Sequence, residues 1–188
     1  MKTLLKCSVL AAAVFALSPA FAGIAQLNGV PQLGDGTVGN PYDFGTLTPA
    51  PSLLTVTVFG TPGSAFEEYA NFMTSSGGSG SGVANTYTLT FGSINIFEID
   101  NLTIEVWDST HPNGANLYST FGGNNTTTAF TLPSAGQYHL DISGDFGPNA
   151  SVGQYSVALA LVPEPGTYAM LFAGLGVVGF IARRRKAS

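Results

Sequence analysis

A chain of 188 residues that is 45% hydrophobic and 9% charged, with 24 Gly and 11 Pro, is neither a disordered acidic tail nor a coiled coil, and it is long enough for one domain of ordinary size. The formal charge of −5 hides a segregation: Lys2, Lys6, Arg183, Arg184, Arg185 and Lys186 are the only basic residues, they lie at the two ends, and every acid lies between them. Residues 23–162 carry ten acids and no Lys or Arg, so a domain built from them is repelled by nucleic acid and anionic lipid, and no nucleic-acid partner is expected.

Residues 1–22 read as a signal peptide. Lys2 and Lys6 form a positive start, Val9 to Leu17 an apolar run, and Ser18-Pro19-Ala20-Phe21-Ala22 an A-x-A-like site that predicts cleavage by signal peptidase after Ala22, with Ala20 as the other small residue. The apolar run is roughly 10 residues, against the roughly 20 that a bilayer requires, so this signal helix is not expected to stay as an anchor. Cys7 leaves with it, and the exported chain must then hold together without disulfides.

Residues 23–52, rich in Gly and Pro, predict an extended lead-in with one edge strand. From Leu53 the hydrophobic pattern has period two. Strands are expected at Leu53 to Phe59, Phe66 to Thr74, Asn85 to Phe91, Ile94 to Ile99, Leu102 to Asp108, Leu117 to Phe121, Thr127 to Leu132, Gln137 to Ser143 and Gln154 to Leu161. The stretches between them, including the Gly/Ser tract Ser75 to Gly82, read as turns. An all-β fold follows, a single β-sandwich over residues 53–162. Alternation places Leu102, Ile104, Val106, Tyr87, Leu89, Phe91, Tyr138, Leu140, Ile142, Tyr155, Val157, Leu159 and Leu161 inside, with Glu105, Trp107, His139 and Asp141 on the polar side.

The exported region offers little catalytic chemistry. Without Lys, Arg or Cys, an enzyme would have to use His111 or His139 with the acids and hydroxyls, and Ser79 and Ser81 lie in no nucleophile elbow. Two isolated histidines do not make a zinc site. Asp108, Asn113, Asp141, Asp145 and Asn149 fall at predicted strand ends and offer the hard oxygen ligands that Ca²⁺ takes, but no loop follows the EF-hand order; solvated loops are the preferred reading and no other cofactor is expected. Trp107 on the polar side could stack on a sugar ring or be covered by a loop.

After Val162 the chain reads Pro163-Glu164-Pro165-Gly166, then an apolar segment 167–182, then Arg183-Arg184-Arg185-Lys186. Sixteen helical residues span about 24 Å, short against a hydrocarbon core of about 30 Å, and the basic end stays cytoplasmic. Both ends therefore predict the same topology, with the middle outside the cytoplasm. Within the segment, Gly174 to Gly179 matches G-x-G-x-x-G, yet lacks the preceding strand and following acid of a dinucleotide site.

The sequence Val162-Pro163-Glu164-Pro165, a short Gly-rich apolar helix and a terminal Arg cluster resembles the PEP-CTERM sorting signal of Gram-negative bacteria. That resemblance implies a precursor held in the inner membrane by residues 163–188 and cut by exosortase, with Pro163, Glu164 and Pro165 as the sorting residues and Arg183, Arg184 and Arg185 as the stop. Leu102 to Asp108 followed by Pro133 to Ile142 and Gln154 to Val157 resembles the jelly-roll module of the bacterial pre-peptidase C-terminal type. Phe66-Glu67-Glu68-Tyr69-Ala70 resembles the F-x-D-x-F segment of one PEP-CTERM group, with Glu68 in place of the aspartate and Ala70 in place of the last aromatic. Together these imply a non-enzymatic protein delivered to the cell surface or extracellular polysaccharide matrix, in a structural or biofilm-associated role; the alternative is a carbohydrate-binding or adhesive module working through Trp107, with exopolysaccharide as partner.

Overall fold

The computed structural model describes residues 21–108, 116–162, 170–178 and Arg183. Period-two segments rich in Val, Thr, Tyr and Phe become strands here because their branched and aromatic side chains fit a pleated surface with one covered face. One sheet has eight strands. Its main path runs β11 (Thr128–Leu132), β6 (Gly78–Tyr87), β13 (Val152–Val162), β4 (Ser52–Phe59), β1 (Phe21–Leu27) and β2 (Val30–Pro31), with β8 (Ile94–Phe97) against the start of β13 and β7 (Leu89–Phe91) against β8. The second sheet has five, in the order β10 (Leu117–Gly122), β9 (Ile99–Asp108), β12 (Gly136–Phe146), β5 (Ala65–Thr74) and β3 (Tyr42–Thr46). All pairings are antiparallel except β3 with β5 and β8 with β13.

One hydrophobic core fills the space between the sheets. Leu54, Val56 and Val58 of β4 with Tyr155, Val157 and Leu159 of β13 face Ile104 and Val106 of β9, Leu140 and Ile142 of β12 and Phe72 of β5, all fully buried. The expected inner faces of β9 and β12 are therefore observed; of β13, Leu161 is only partly buried.

Four expectations are corrected. Residues 23–52 are no peripheral lead-in: β1 pairs along β4, its turn to β2 uses Asn28 and Gly29 at φ 51° and 80° as two-residue hairpins demand, and Tyr42, Phe44 and Leu47 are buried in the core beside β5. The Gly/Ser tract is no turn beyond Gly77: residues 78–82 form the first half of β6, paired with β11 throughout and with β13 from Ser79 on. Tyr87, Leu89 and Phe91 are no core, being 45%, 51% and 78% exposed: in β6 it is Ala84 and Thr86 that pair with the buried Val157 and Tyr155, so Tyr87, across from Gln154, is on the outer face, and Leu89 and Phe91 belong to β7, which pairs only with β8 among the described residues. His139, placed by alternation on the polar side, is nevertheless buried.

Beyond β13, residues 170–178 form a helix, α1, with every side chain exposed, and Arg183 is helical and exposed. Among the described residues no helix is long and apolar enough to cross a membrane; residues 167–169 and 179–182 of the expected span lie outside them.

Candidate functional sites

Three places gather chemistry. The first is the outer face of the five-stranded sheet, where register sets the neighbours. His139 lies across from Trp107 on β9 and Asn71 on β5, and two pairs further on, on the same face, Asp141 lies across from Glu105 and Tyr69. The half-buried Trp107 ring is fixed by its own strand, since Nε1 donates to Glu105 Oε2 at 3.1 Å. His139 Nε2 stands 3.5 Å from Asp141 Oδ1. Tyr69 is buried, and burial first, then its hydrogen bond with Glu67, pushes its hydroxyl pKa up. The result is a strip of aromatic and carboxylate groups along the sheet in which Trp107 is half-buried while Tyr69 and His139 are covered.

The carboxylates expected to offer Ca²⁺ ligands are separated by that same register. Asp108 is across from Tyr138 at one end of β9 and accepts hydrogen bonds from the Asn116 backbone N–H and side-chain amide at 3.1 and 2.5 Å. Asp145 lies four residues from Asp141, about 13 Å along the strand, beside Asp100, and accepts from Asn101 Nδ2 at 3.1 Å. Among the described residues no three His, Cys, Asp or Glu groups converge to hold a metal ion. Ser79 and Ser81 belong to β6 in the other sheet from His139, so the one described histidine and these serines share no site. His111 and Asn113 lie outside the described residues.

The second place was not foreseen. Glu68 of β5 points into the core, where the Tyr42 hydroxyl donates to Oε1 at 3.1 Å and the Tyr155 hydroxyl donates to Oε2. Tyr42 and Glu68 belong to the five-stranded sheet and Tyr155 to the eight-stranded one, so this trio ties the sheets together. Burial raises the Glu68 pKa to about 7 despite the opposing pull of the two hydroxyls, and burial followed by the glutamate's charge pushes both tyrosines up. The signal was in the alternation: Phe66, Glu68, Ala70 and Phe72 have the same parity, so the carboxylate had to share the aromatic face.

The third is the exit of the chain. Val162 ends β13 beside a cleft of about 570 Å³ bordered by Thr48, Pro49, Ser75, Ser79 and Leu161. At the other end of the chain Ala22 pairs with Val58 at the start of β1, so a cut after it leaves the pairs from Ile24 to Leu27 intact. Ala20, Pro163, Glu164, Pro165, Arg184 and Arg185 lie outside the described residues.

The PEP-CTERM protein-sorting motif matches residues 161–186, starting one residue before the end of β13. The motif implies an exported, membrane-transiting precursor sorted by exosortase, which acts on it as a processing partner. No curated protein matches the sequence. Among solved structures, the chain is similar to the Aeromonas hydrophila periplasmic inhibitor of g-type lysozyme, PliG, at 12% identity and a TM-score of 0.34, over 64% of this chain and 99% of that one.

Proposed function

We propose that this is a non-enzymatic structural protein of the cell surface or extracellular polysaccharide matrix. A signal peptidase cut after Ala22 and an exosortase cut beyond Val162 release the sandwich from its inner-membrane precursor. The observation that supports this most is the junction. The sorting motif overlaps only the last two residues of β13, a central strand of the eight-stranded sheet, so a cut beyond Val162 sacrifices no strand pair of the domain. Its ten carboxylates without a single compensating cation suit a matrix rich in neutral sugars or divalent cations rather than an anionic surface. Membership of the F-x-D-x-F group is supported by the buried position of Glu68, where a lone carboxylate on an aromatic face has a structural task. The order of β9 to β13 supports the likeness to the pre-peptidase C-terminal module.

Replacing Pro163, Glu164 and Pro165 together by alanine tests the sorting. The native chain should give an intact mass ending between Val162 and Gly166 in the surface or medium fraction, and the variant should keep Arg183 to Ser188 and stay in the inner membrane. Full-length native protein in the inner membrane would defeat the proposal.

A second reading is favoured by one observation, the fixed Trp107 ring flanked by Glu105 and Asp141. As a carbohydrate platform this strip would retain neutral polysaccharide, and Trp107→Ala should weaken retention about tenfold, the equivalent of about 1.4 kcal/mol of stacking. Affinity electrophoresis in gels containing the host's polysaccharide measures it. Equal mobility of the two proteins would remove this reading and leave the first untouched.

A further inference from the structure

The β7–β8 hairpin is amphipathic on its own account. Thr90 pairs with Asn95, the Thr90 hydroxyl donates to Asn95 Oδ1 at 2.8 Å, and Asn95 Nδ2 donates to Glu98 Oε1 at 2.5 Å, so one side is polar and tied to the half-buried Glu98 at the base. The other side pairs Phe91 with Ile94 and Leu89 with Phe97, and Phe91, Ile94 and Leu89 are 78%, 54% and 51% exposed. From Tyr69 to Phe97 the sequence has no charged residue. Among the described residues β7 bonds only to β8, so its outer edge offers backbone donors and acceptors with none of the lysine, proline or inward charge that blunts an exposed edge.

We propose that β7 is a homotypic docking strand: two copies of this chain pair antiparallel, edge to edge about Thr90, with Leu89 of each opposite Phe91 of the other. Charge selects this occupant. Two domains of −10 repel on most approaches; uncharged apolar surface is exposed both at the β1–β2 turn and on this hairpin, but the β2 edge carries Pro31, whereas β7 joins the uncharged apolar surface to an open strand edge without proline. Symmetry supports it too, because Leu89-Thr90-Phe91 is self-complementary under a two-fold axis and the contact closes at a dimer. A bilayer is the wrong occupant. β8 meets β13 at Val152 and runs parallel to it, so the hairpin tip lies beyond Val152, while the sorting tail leaves from Val162, about 33 Å away along β13. The apolar side is therefore held at the end of the domain remote from the membrane.

The test uses the full-length chain expressed in its host, with Cys7→Ser so that Thr90→Cys supplies the sole thiol. Directly opposed residues in an antiparallel pair have Cα atoms about 4.5–5.5 Å apart, within disulfide range, so mild oxidation of intact cells should give a covalent dimer. Adding Phe91→Asp, at a position too exposed to unfold the domain, should cut the dimer at least about tenfold by replacing the apolar contact with Leu89 of the other copy by a carboxylate that must be desolvated, once on each side of the two-fold axis. Thr131→Cys on the edge strand β11 should give none. The proposal falls if Thr90→Cys stays monomeric, if Thr131→Cys cross-links equally, or if Phe91→Asp leaves the cross-link unchanged. It falls equally if the uncross-linked chain instead floats with phosphatidylcholine vesicles through Phe91, since the hairpin is then a lipid contact.

Discussion

Raising the pH from about 5 to about 8 should destabilise the folded chain by about 3 kcal/mol, and Glu68→Gln should abolish that dependence. Burial lifts the Glu68 pKa from 4.5 to about 7, so between those values the folded state holds a proton that the unfolded chain releases. Stability is therefore fully present below the unfolded pKa and is lost as the pH climbs through the folded one, the reverse of an ion-paired carboxylate. Asp35, whose charge faces the trio, is held below its ordinary value by Thr37 and is already ionised across this window. The neutral amide introduced by Glu68→Gln would accept from one tyrosine and donate to the other, keeping the link between the sheets while removing the titrating group. Urea unfolding at a series of pH values measures both slopes. A native chain as flat as the glutamine variant would mean that Glu68 stays ionised with its hydroxyl donors prevailing over burial. Glu68→Leu distinguishes tie from titration: it strands two buried hydroxyls and should weaken the fold at every pH by about 1–3 kcal/mol for each hydroxyl left without a partner.

The exported setting gives this trio a consequence for the proposed role. A domain outside the cytoplasm experiences the pH of its surroundings, and it has neither disulfides nor basic residues with which to offset the carboxylates. The buried glutamate thus makes mildly acidic conditions the more favourable ones for the fold.

Much of the sandwich was legible because β9, β12 and β13 place apolar residues at every second position over Leu102–Val106, Tyr138–Ile142 and Tyr155–Leu159, on the face covered by the other sheet. Alternation fails in three ways elsewhere. It names residues that share a face but not whether anything covers that face, which is why Tyr87, Leu89 and Phe91 read as core and lie exposed. It has nothing to count in Gly78-Ser-Gly-Ser-Gly82, where the inward positions lack side chains. It also treats the outer face as wet, whereas His139 is buried between the strands carrying Trp107 and Asn71. The candidate Ca²⁺ ligands show a further limit of reading in chain order: strand ends are not neighbours by sequence order but by register, and Asp108 and Asp145 sit toward opposite ends of the β9–β12 pairing. The tail needed no fold at all, because a linear motif is read in sequence order.

Gly80→Val is expected to lower stability by about 3 kcal/mol or more, despite lying in a tract whose composition suggests a flexible linker. Gly80 is directly opposite Phe130 of β11, and a Cβ on it would overlap the phenyl ring. Gly82, two positions on and on the same face, leaves room for Phe121 of β10, whose ring a Cβ there would meet at 2.6 Å. Phe130 and Phe121 are both buried, so the glycines act as slots that let two aromatic rings close the core at the β11 end of the eight-stranded sheet. Phe130→Ala alone should cost about 3–5 kcal/mol by opening a cavity. In the double variant the valine occupies part of the space left by the ring, so the combined loss should fall short of the sum by about 1–3 kcal/mol. Urea midpoints of the four proteins close the cycle. Additive losses would mean that Phe130 swings clear of Gly80 at no cost and that the slot is incidental. A shortfall would establish that these glycines were kept bare by their partners' size, which is a demand of packing and not of flexibility.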